Sequence, residues 1–201
     1  MTLPSTETAS YTSTAKFLHW LIALAIIFML ALGWLMGGLP KGEAKFFWFQ
    51  LHKSIGISIL LLSLVRLGWR MMHRAPPLPA TMPMWEQRAA HIGHFLLYVV
   101  MIGMPLSGWA MVSAESHGIP LILFGVLPWP YVPVLPTLDN AKEVGDKLGD
   151  VHGITAYILA MLVAGHAAAA WKHHLFSRDD ILLRMAPRSF AGFFNRLRGE
   201  R

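Results

Sequence analysis

The segment DVHGITAYILAMLVAGHAAAAW, Asp150–Trp171, is a long apolar stretch that contains two histidines, His152 and His166. Fourteen residues separate them, which is close to four helical turns, so both imidazoles lie on nearly the same helix face and about 21 Å apart along the axis. A bilayer core is about 30 Å thick, so one histidine would lie near each surface. Because ionisable side chains at such depths are costly, this pair predicts a membrane-spanning helix with a functional site at each end.

The composition of the whole chain agrees with a membrane protein. Of its 201 residues, 55% are hydrophobic and only 14% are charged, which suits a membrane protein far better than a soluble domain. The chain has no cysteine, which excludes disulfides, iron–sulfur clusters, thiolate ligation of haem and covalent haem attachment. Any cofactor must therefore be held by histidine, methionine or carboxylates.

Apolar stretches long enough to cross a bilayer occur four times. They run roughly over Phe17–Gly37, Phe46–Trp69, Ala89–Val112 and Val151–Trp171. Prolines and glycines interrupt the chain between them, and the longest connector, Ser113–Asp150, contains a proline-rich apolar part that predicts a loop on the surface. The first fifteen residues lack Lys and Arg, so we expect an uncleaved first span rather than a secretory signal. The predicted fold is all-α: an integral membrane four-helix bundle with up-down-up-down topology.

The distribution of positive charge predicts how the bundle is oriented. The formal net charge is +6, which alone would permit a nucleic-acid partner, but the cations follow the membrane topology instead. Of the 17 Lys and Arg residues, twelve lie at the N-terminus, in the second connector and after the fourth span. By the positive-inside rule, both termini are predicted to be cytoplasmic, and we expect no nucleic-acid partner.

The last thirteen residues, 189–201, have a different pattern from the four-helix domain predicted over residues 1–188. Phe190, Phe193, Phe194 and Leu197 recur at i, i+3, i+4 and i+7, beside three arginines. This pattern is typical of a short basic amphipathic helix at the membrane interface. A frayed, solvated tail is the alternative.

Topology pairs four histidines by depth. The first span begins inside and the second outside, so His19 lies near the inner face and His52 near the outer face. The fourth span descends from outside, which matches His52 with His152 and His19 with His166. Each layer then has two imidazoles and no carboxylate, whereas zinc prefers three or four clustered ligands. Two axial histidines on facing helices suit a planar haem, so we expect an inner and an outer bis-histidine haem.

Other polar residues near the inner layer have several predicted roles. Arg66 and Arg70 could pair with haem propionates, although arginine at the inner end of a span is also ordinary. His91 and His94, which begin the third span, could line a quinone pocket, donate to a propionate, compete with His19 as ligands, or have no role. The remaining histidines are expected to be solvated, although the last two could touch the inner haem edge; they are His73, His117, His173 and His174.

The ordered set of motifs resembles the bacterial cytochrome b561 family of small di-haem membrane cytochromes over about residues 14–188. The motifs are HW at His19, LHKSIGISIL around His52, VRLGWR at 65–70, HIGH at 91–94, HGITAY at 152–157, GHAAAAWKHH at 165–174 and LLRMAPR at 182–188. The family's axial ligands fall on His19, His52, His152 and His166. The resemblance implies two b-type haems, a bacterial inner-membrane location and quinone as a partner.

We expect a membrane electron-transfer protein that passes single electrons between the two faces of the bilayer. The resemblance also allows an oxidoreductase that takes electrons from superoxide to ubiquinone, with Lys41, Lys45 and Lys53 steering the anion. The electron donor is open, and a homodimer is permitted. Two alternatives are a haem b anchor subunit of a larger dehydrogenase and a non-redox metal or proton transporter that uses the same histidines.

Overall fold

The computed structural model describes residues 10–115 and 121–198. Within them, four helices are long and apolar enough to cross a membrane, which confirms the predicted all-α bundle. They are α1 (Ser13–Gly38), α2 (Glu43–Met72), α3 (Met84–Ala114) and α4 (Ala141–Lys172). Each helix packs extensively on the next one in the chain, as short connections between antiparallel helices require.

The core of the bundle is built around one face of α1. Its buried residues recur every three or four positions, and they are Leu18, Ile22, Ile26, Met29, Leu32 and Met36. Ile59 on α2 and Leu159 on α4 pack against this face. The other faces expose large apolar side chains such as Leu24 and Leu64, which suits a surrounding of lipid rather than water.

A short β-hairpin covers the end of the bundle that follows α3, called here the hairpin end. Its strands are β1 (Ile122–Leu123) and β2 (Leu127–Pro128), and a 3₁₀ turn at Leu135–Thr137 follows. The prediction of a surface loop was wrong in part, because Leu121 and Leu123 are each only 4% exposed. Two buried serines make this possible. The Oγ of Ser54 accepts from the N–H of Phe124 at 2.8 Å, and the Oγ of Ser113 accepts from Val132 at 2.9 Å.

The predicted connector was also too long. Helix α4 begins at Ala141 rather than at Val151, so it has 32 residues and measures about 48 Å. That exceeds the roughly 30 Å hydrocarbon core of a bilayer, so its charged first turns extend beyond the membrane. The exposed pairs Lys142–Asp146 and Glu143–Lys147 lie four residues apart there, and they bridge successive turns.

The opposite end, called here the tail end, gathers the N-terminal segment and the chain after α4. A π turn (His173–Ser177) leads into two short helices, α5 (Ile181–Met185) and α6 (Arg188–Leu197). The indole N–H of Trp20 donates to the carbonyl of Met185 at 3.0 Å. Arg184 donates to Asp180 and to the carbonyl of Pro77. These bonds attach α5 both to α1 and to the connector between α2 and α3.

The expectation that His173 and His174 are solvated was wrong. His174 is fully buried and donates from Nε2 to the carbonyl of Phe194 at 2.9 Å, because α6 folds back over it. His173 contacts Asp179 at 2.6 Å and Glu86 at 3.3 Å, which ties the end of α4 to the start of α3. His73 is exposed and stacks on Trp69. The prediction for His117, and those for residues 1–9 and 199–201, lie outside the described residues.

Candidate functional site

The four histidines singled out by their spacing form two close pairs, one towards each end of the bundle. At the tail end, the ring centres of His19 on α1 and His166 on α4 are 6.1 Å apart. At the hairpin end, those of His52 on α2 and His152 on α4 are 6.2 Å apart. Both pairs of rings are steeply inclined to each other, at 78° and 72°. The two pairs are therefore nearly identical in geometry, and α4 contributes to both.

Hydrogen bonds at the hairpin end indicate which ring nitrogen of His152 carries the proton. Its Nδ1 lies 3.1 Å from the carbonyl oxygen of Met104 and 3.2 Å from the Oγ of Ser107. A carbonyl can only accept, so Nδ1 carries the proton and Nε2 keeps a free lone pair. Metal-binding histidines characteristically donate their second N–H to a backbone carbonyl or carboxylate in this way.

The partner ring, His52, has an unsatisfied polar atom. Its Nδ1 is buried and finds no hydrogen-bond partner among the residues that the structure describes. The ring borders a cavity of about 360 Å³ that is lined mainly by apolar side chains, with Lys53, His52 and His152 among the polar residues. Pockets of about 300–1,000 Å³ with a few polar groups are typical of cofactor sites.

Glycines on the neighbouring helices lie against the two rings at the hairpin end, and one of them leaves room that the His152 ring needs. A methyl group added at Gly108 on α3 would lie 2.9 Å from Cε1 and 3.1 Å from Nδ1 of His152, closer than carbon atoms can approach. At Gly33 on α1, it would lie 3.6 Å from Cε1 of His52, which is an ordinary van der Waals contact. Neither glycine was among the predicted site residues.

The positions of both glycines follow from an interval that is visible in the sequence. His19 and Gly33 are fourteen residues apart on α1, and so are His94 and Gly108 on α3. This is the interval that separates His152 from His166, and it returns to nearly the same helix face after four turns. Each of these helices therefore turns the same face towards the interior at two depths, once beside the tail-end pair and once beside the hairpin-end pair.

At the tail end, a third imidazole and a guanidinium join the pair. The ring centre of His94 lies 5.4 Å from that of His166, and its Nδ1 donates to the carbonyl of Ala90 at 2.7 Å. Arg66 donates from Nε to the hydroxyl of Tyr98 at 3.2 Å. Its buried Nη1 has no partner among the described residues, so it could bind an anion.

The other predicted residues lie in a groove between α2 and α3. This groove has a volume of about 520 Å³, and its lining includes Arg70, His91, His94 and Tyr98. His91 is exposed, whereas His94 is partly buried. The structure therefore places Arg70 and His91 together, on the side of α3 that also carries His94.

Both pairs have the dimensions needed to hold one metal ion between two axial rings. A metal–imidazole bond of about 2.0–2.1 Å, with the ring centre roughly 1.1 Å beyond the nitrogen, gives centres about 6.2–6.4 Å apart. The observed separations are 6.1 and 6.2 Å. In the described part of the chain, no group of three or more His, Asp or Glu side chains is placed to bind a metal. The donor set fits the axial positions of a haem, whose porphyrin supplies the other four ligands.

A helical membrane bundle with paired imidazoles in its interior is typical of the b-type membrane cytochromes. The family model for prokaryotic cytochrome b561 matches residues 10–188. The chain belongs to this family, which implies binding of b-type haem and electron transfer within a bacterial membrane.

Curated relatives agree with the family match. "Cytochrome b561 homolog 2" of Escherichia coli strain K12 is 34% identical over 180 residues, which cover 87% of this chain and 90% of that protein. "Cytochrome b561 homolog 1" of the same strain is 30% identical over 179 residues, 89% of this chain and 97% of that protein. "Probable superoxide oxidase CybB" of Yersinia pestis is 30% identical over 174 residues, 85% and 92% of the two chains.

Proposed function

We propose that this chain binds two b-type haems, each between two histidines, and passes single electrons between the faces of a bacterial inner membrane. His52 and His152 would hold the haem at the hairpin end, and His19 and His166 the haem at the tail end. The observation that carries the proposal is the pair of ring separations, 6.1 and 6.2 Å. Haem iron, when bound, supplies one-electron chemistry by changing between its ferrous and ferric states.

The geometry favours His19 over His94 as the partner of His166. The separation of 5.4 Å between His94 and His166 is about 0.8 Å shorter than two axial rings on one metal require. His94 would instead lie beside the tail-end haem, where its free Nε2 could exchange a hydrogen bond with a propionate or a quinone. Its bond to Ala90 holds the ring in that orientation.

Two arginines would balance the propionates of the tail-end haem. The buried Nη1 of Arg66 lacks a partner among the described residues, and a propionate oxygen would satisfy it. Charge-assisted bonds of guanidinium to carboxylate are among the stronger hydrogen bonds in proteins. Arg70 lies one turn further along α2 and borders the groove beside His94, so it would pair with a carboxylate that emerges there.

The same groove is the site that we propose for a quinone. It is open on the side of the bundle between α2 and α3, so a lipid-soluble ligand could enter it directly from the bilayer. His91 and His94 could exchange hydrogen bonds with the quinone oxygens, and the rings of Phe95 and Tyr98 line the same wall. A quinone bound there would accept electrons beside the tail-end haem.

At the hairpin end, we propose superoxide as an electron donor. The motivation is the relative from Yersinia pestis, which is named a probable superoxide oxidase. Lys53 follows His52 on α2 and lines the cavity beside both histidines, so its positive charge would attract a small anion to the haem edge. Two histidine ligands leave no open position on the iron, so the anion would give up its electron at that edge.

The charge distribution supports the orientation that we propose, with the tail end in the cytoplasm. Twelve of the 17 Lys and Arg residues lie on the side of the N-terminus, the second connector and the tail. Under the positive-inside rule, the hairpin and Lys53 then face the outer side of the membrane.

An optical redox titration with haem counting tests the proposal. We expect purified protein to contain two haems per chain and to titrate as two one-electron centres, with a b-type α band in the reduced-minus-oxidised spectrum. A quinone analogue should shift the midpoint of the tail-end centre only, because the groove lies beside that site. A colourless preparation would refute the haem proposal, and an unchanged midpoint would refute the quinone site alone.

Replacing Gly108 with alanine should weaken haem binding at the hairpin end. The added methyl group would push the His152 ring away from its bonds to Met104 and Ser107. Losing the groups that orient a metal ligand typically lowers affinity about 10–100-fold. Haem retention at the hairpin end, measured during titration with an apoprotein that captures haem, should fall by this factor.

Gly103 provides the matched control on the same helix. A methyl group there meets nothing within 4 Å, so Gly103→Ala makes the same chemical change without a clash. Equal haem retention in the two variants would show that the position of His152 does not depend on Gly108.

A further inference from the structure

Helix α6 is attached firmly to the end of α4. The fully buried imidazole of His174 donates to the carbonyl of Phe194, and its Nδ1 accepts from Arg198 at 3.2 Å. The rings of Trp171, His174 and Phe194 contact one another with centres 5.8–6.0 Å apart. The position of α6 is therefore set by α4, rather than by a flexible link.

This attachment places α6 at the level of the membrane surface. The apolar stretch of α4 ends at Trp171, and the polar residues Lys172 and His173 follow directly. Tryptophan at such a boundary is typical of the membrane–water interface. Because Phe194 packs against Trp171, α6 lies at the same depth as this boundary.

The free face of α6 is apolar. Phe190, Phe193 and Leu197 are 55%, 55% and 47% exposed, and their spacing puts them on one side of the helix. The adjoining π turn exposes Leu175 and Phe176 as well. Leu175 and Phe176 directly follow α4, whose exposed apolar side chains suit lipid, so we take lipid as the phase that meets this face.

Among the described residues, the exposed charge around α6 is positive. Arg178 and Arg196 are exposed, whereas the two neighbouring carboxylates are turned inwards, Asp179 to His173 and Asp180 to Arg184. An apolar helix face bordered by cations complements a leaflet that contains anionic phospholipid.

We propose that α6 anchors the tail end in anionic phospholipid of the adjacent leaflet. Phe190, Phe193 and Leu197 insert between the acyl chains, and Arg178 and Arg196 contact the headgroups. The helix begins at Arg188, the last residue of the family match, so most of this anchor lies beyond the matched segment. The proposal does not depend on haem.

The full chain in lipid nanodiscs allows a direct test, because it has no cysteine and a single introduced cysteine labels uniquely. An environment-sensitive fluorophore on Phe193→Cys should be protected from aqueous iodide in discs containing phosphatidylglycerol. The matched position is Gly192→Cys, roughly 130° around the helix from the apolar face, where an added side chain meets nothing within 4 Å. We expect quenching at position 193 to be at least about threefold weaker than at position 192.

The lipid dependence separates the possible occupants of this face. Replacing phosphatidylglycerol by phosphatidylcholine, or adding Arg196→Gln to the labelled variant, should reduce the protection at position 193. Equal quenching at positions 192 and 193 in every lipid would overturn the proposal. So would protection that occurs only in discs holding two copies of the chain, since a second copy would then cover the face.

Discussion

Alanine in place of His152 should lower the haem content of the purified protein from two haems per chain to one. On the proposed pairing, His152 would be one of the two histidines that hold the hairpin-end haem, and its Nδ1 is already engaged by the carbonyl of Met104. A b-type haem has no covalent attachment, so losing one of two histidine ligands removes one of the two bonds from the protein to the iron. The pyridine haemochrome assay should therefore show about half of the original haem.

The tail-end haem serves as the internal control for folding of this variant. His166 is about 21 Å from His152 along α4, so the remaining centre should keep its spectrum and midpoint potential. His73→Ala is the matched substitution, because His73 is exposed, stacks on Trp69 and belongs to neither histidine pair; this variant should keep both haems. Two haems in the His152 variant would contradict the proposed pairing.

The number of helices and the pairing of histidines by depth could be predicted from the sequence, because both depend on local patterns. Hydrophobic length defines a membrane helix, and a fourteen-residue interval defines two positions on one helix face. Helix direction then assigns each histidine to a layer. His19 and His166 are accordingly neighbours in the structure, as are His52 and His152.

Contacts between distant parts of the chain could not be predicted in this way. Ser54 and Ser113 bind the backbone of the hairpin, and nothing in their local sequence distinguishes them from serines that bond only within their own helix. The burial of His174 likewise depends on α6 folding back over it. In both places, a polar group is buried because a remote segment supplies its hydrogen-bond partner.

Gly33 and Gly108 show a different kind of omission. Their positions follow from the same fourteen-residue interval, but a search for side chains that bind a cofactor passes over residues without a side chain. In the structure, Gly108 leaves room for the imidazole of His152, and Gly33 lies beside that of His52. Small residues that lie fourteen positions from a predicted site histidine on the same helix are therefore candidates for the lining of such a site.

Two variants distinguish which histidine is the partner of His166 at the tail end, and we expect a large difference between them. His19→Ala should remove the tail-end haem and leave the hairpin-end haem, whereas His94→Ala should retain both. The physical reason is the ring separation: 6.1 Å between His19 and His166 matches two axial rings on one metal, while 5.4 Å between His94 and His166 is too short. Haem counting on the two variants, purified in parallel, makes the comparison.

The midpoint potential of the retained tail-end centre adds a second measurement for His94→Ala. If His94 lies beside the haem and not on its axis, removing this imidazole changes the hydrogen bonds around the site and shifts the midpoint of that centre alone. The midpoint potential of the hairpin-end centre should be unchanged, because His94 lies at the level of the tail-end pair. If the His94 variant lost a haem and the His19 variant kept both, His94 rather than His19 would be the partner of His166. That result would leave the proposed hairpin-end pair unchanged.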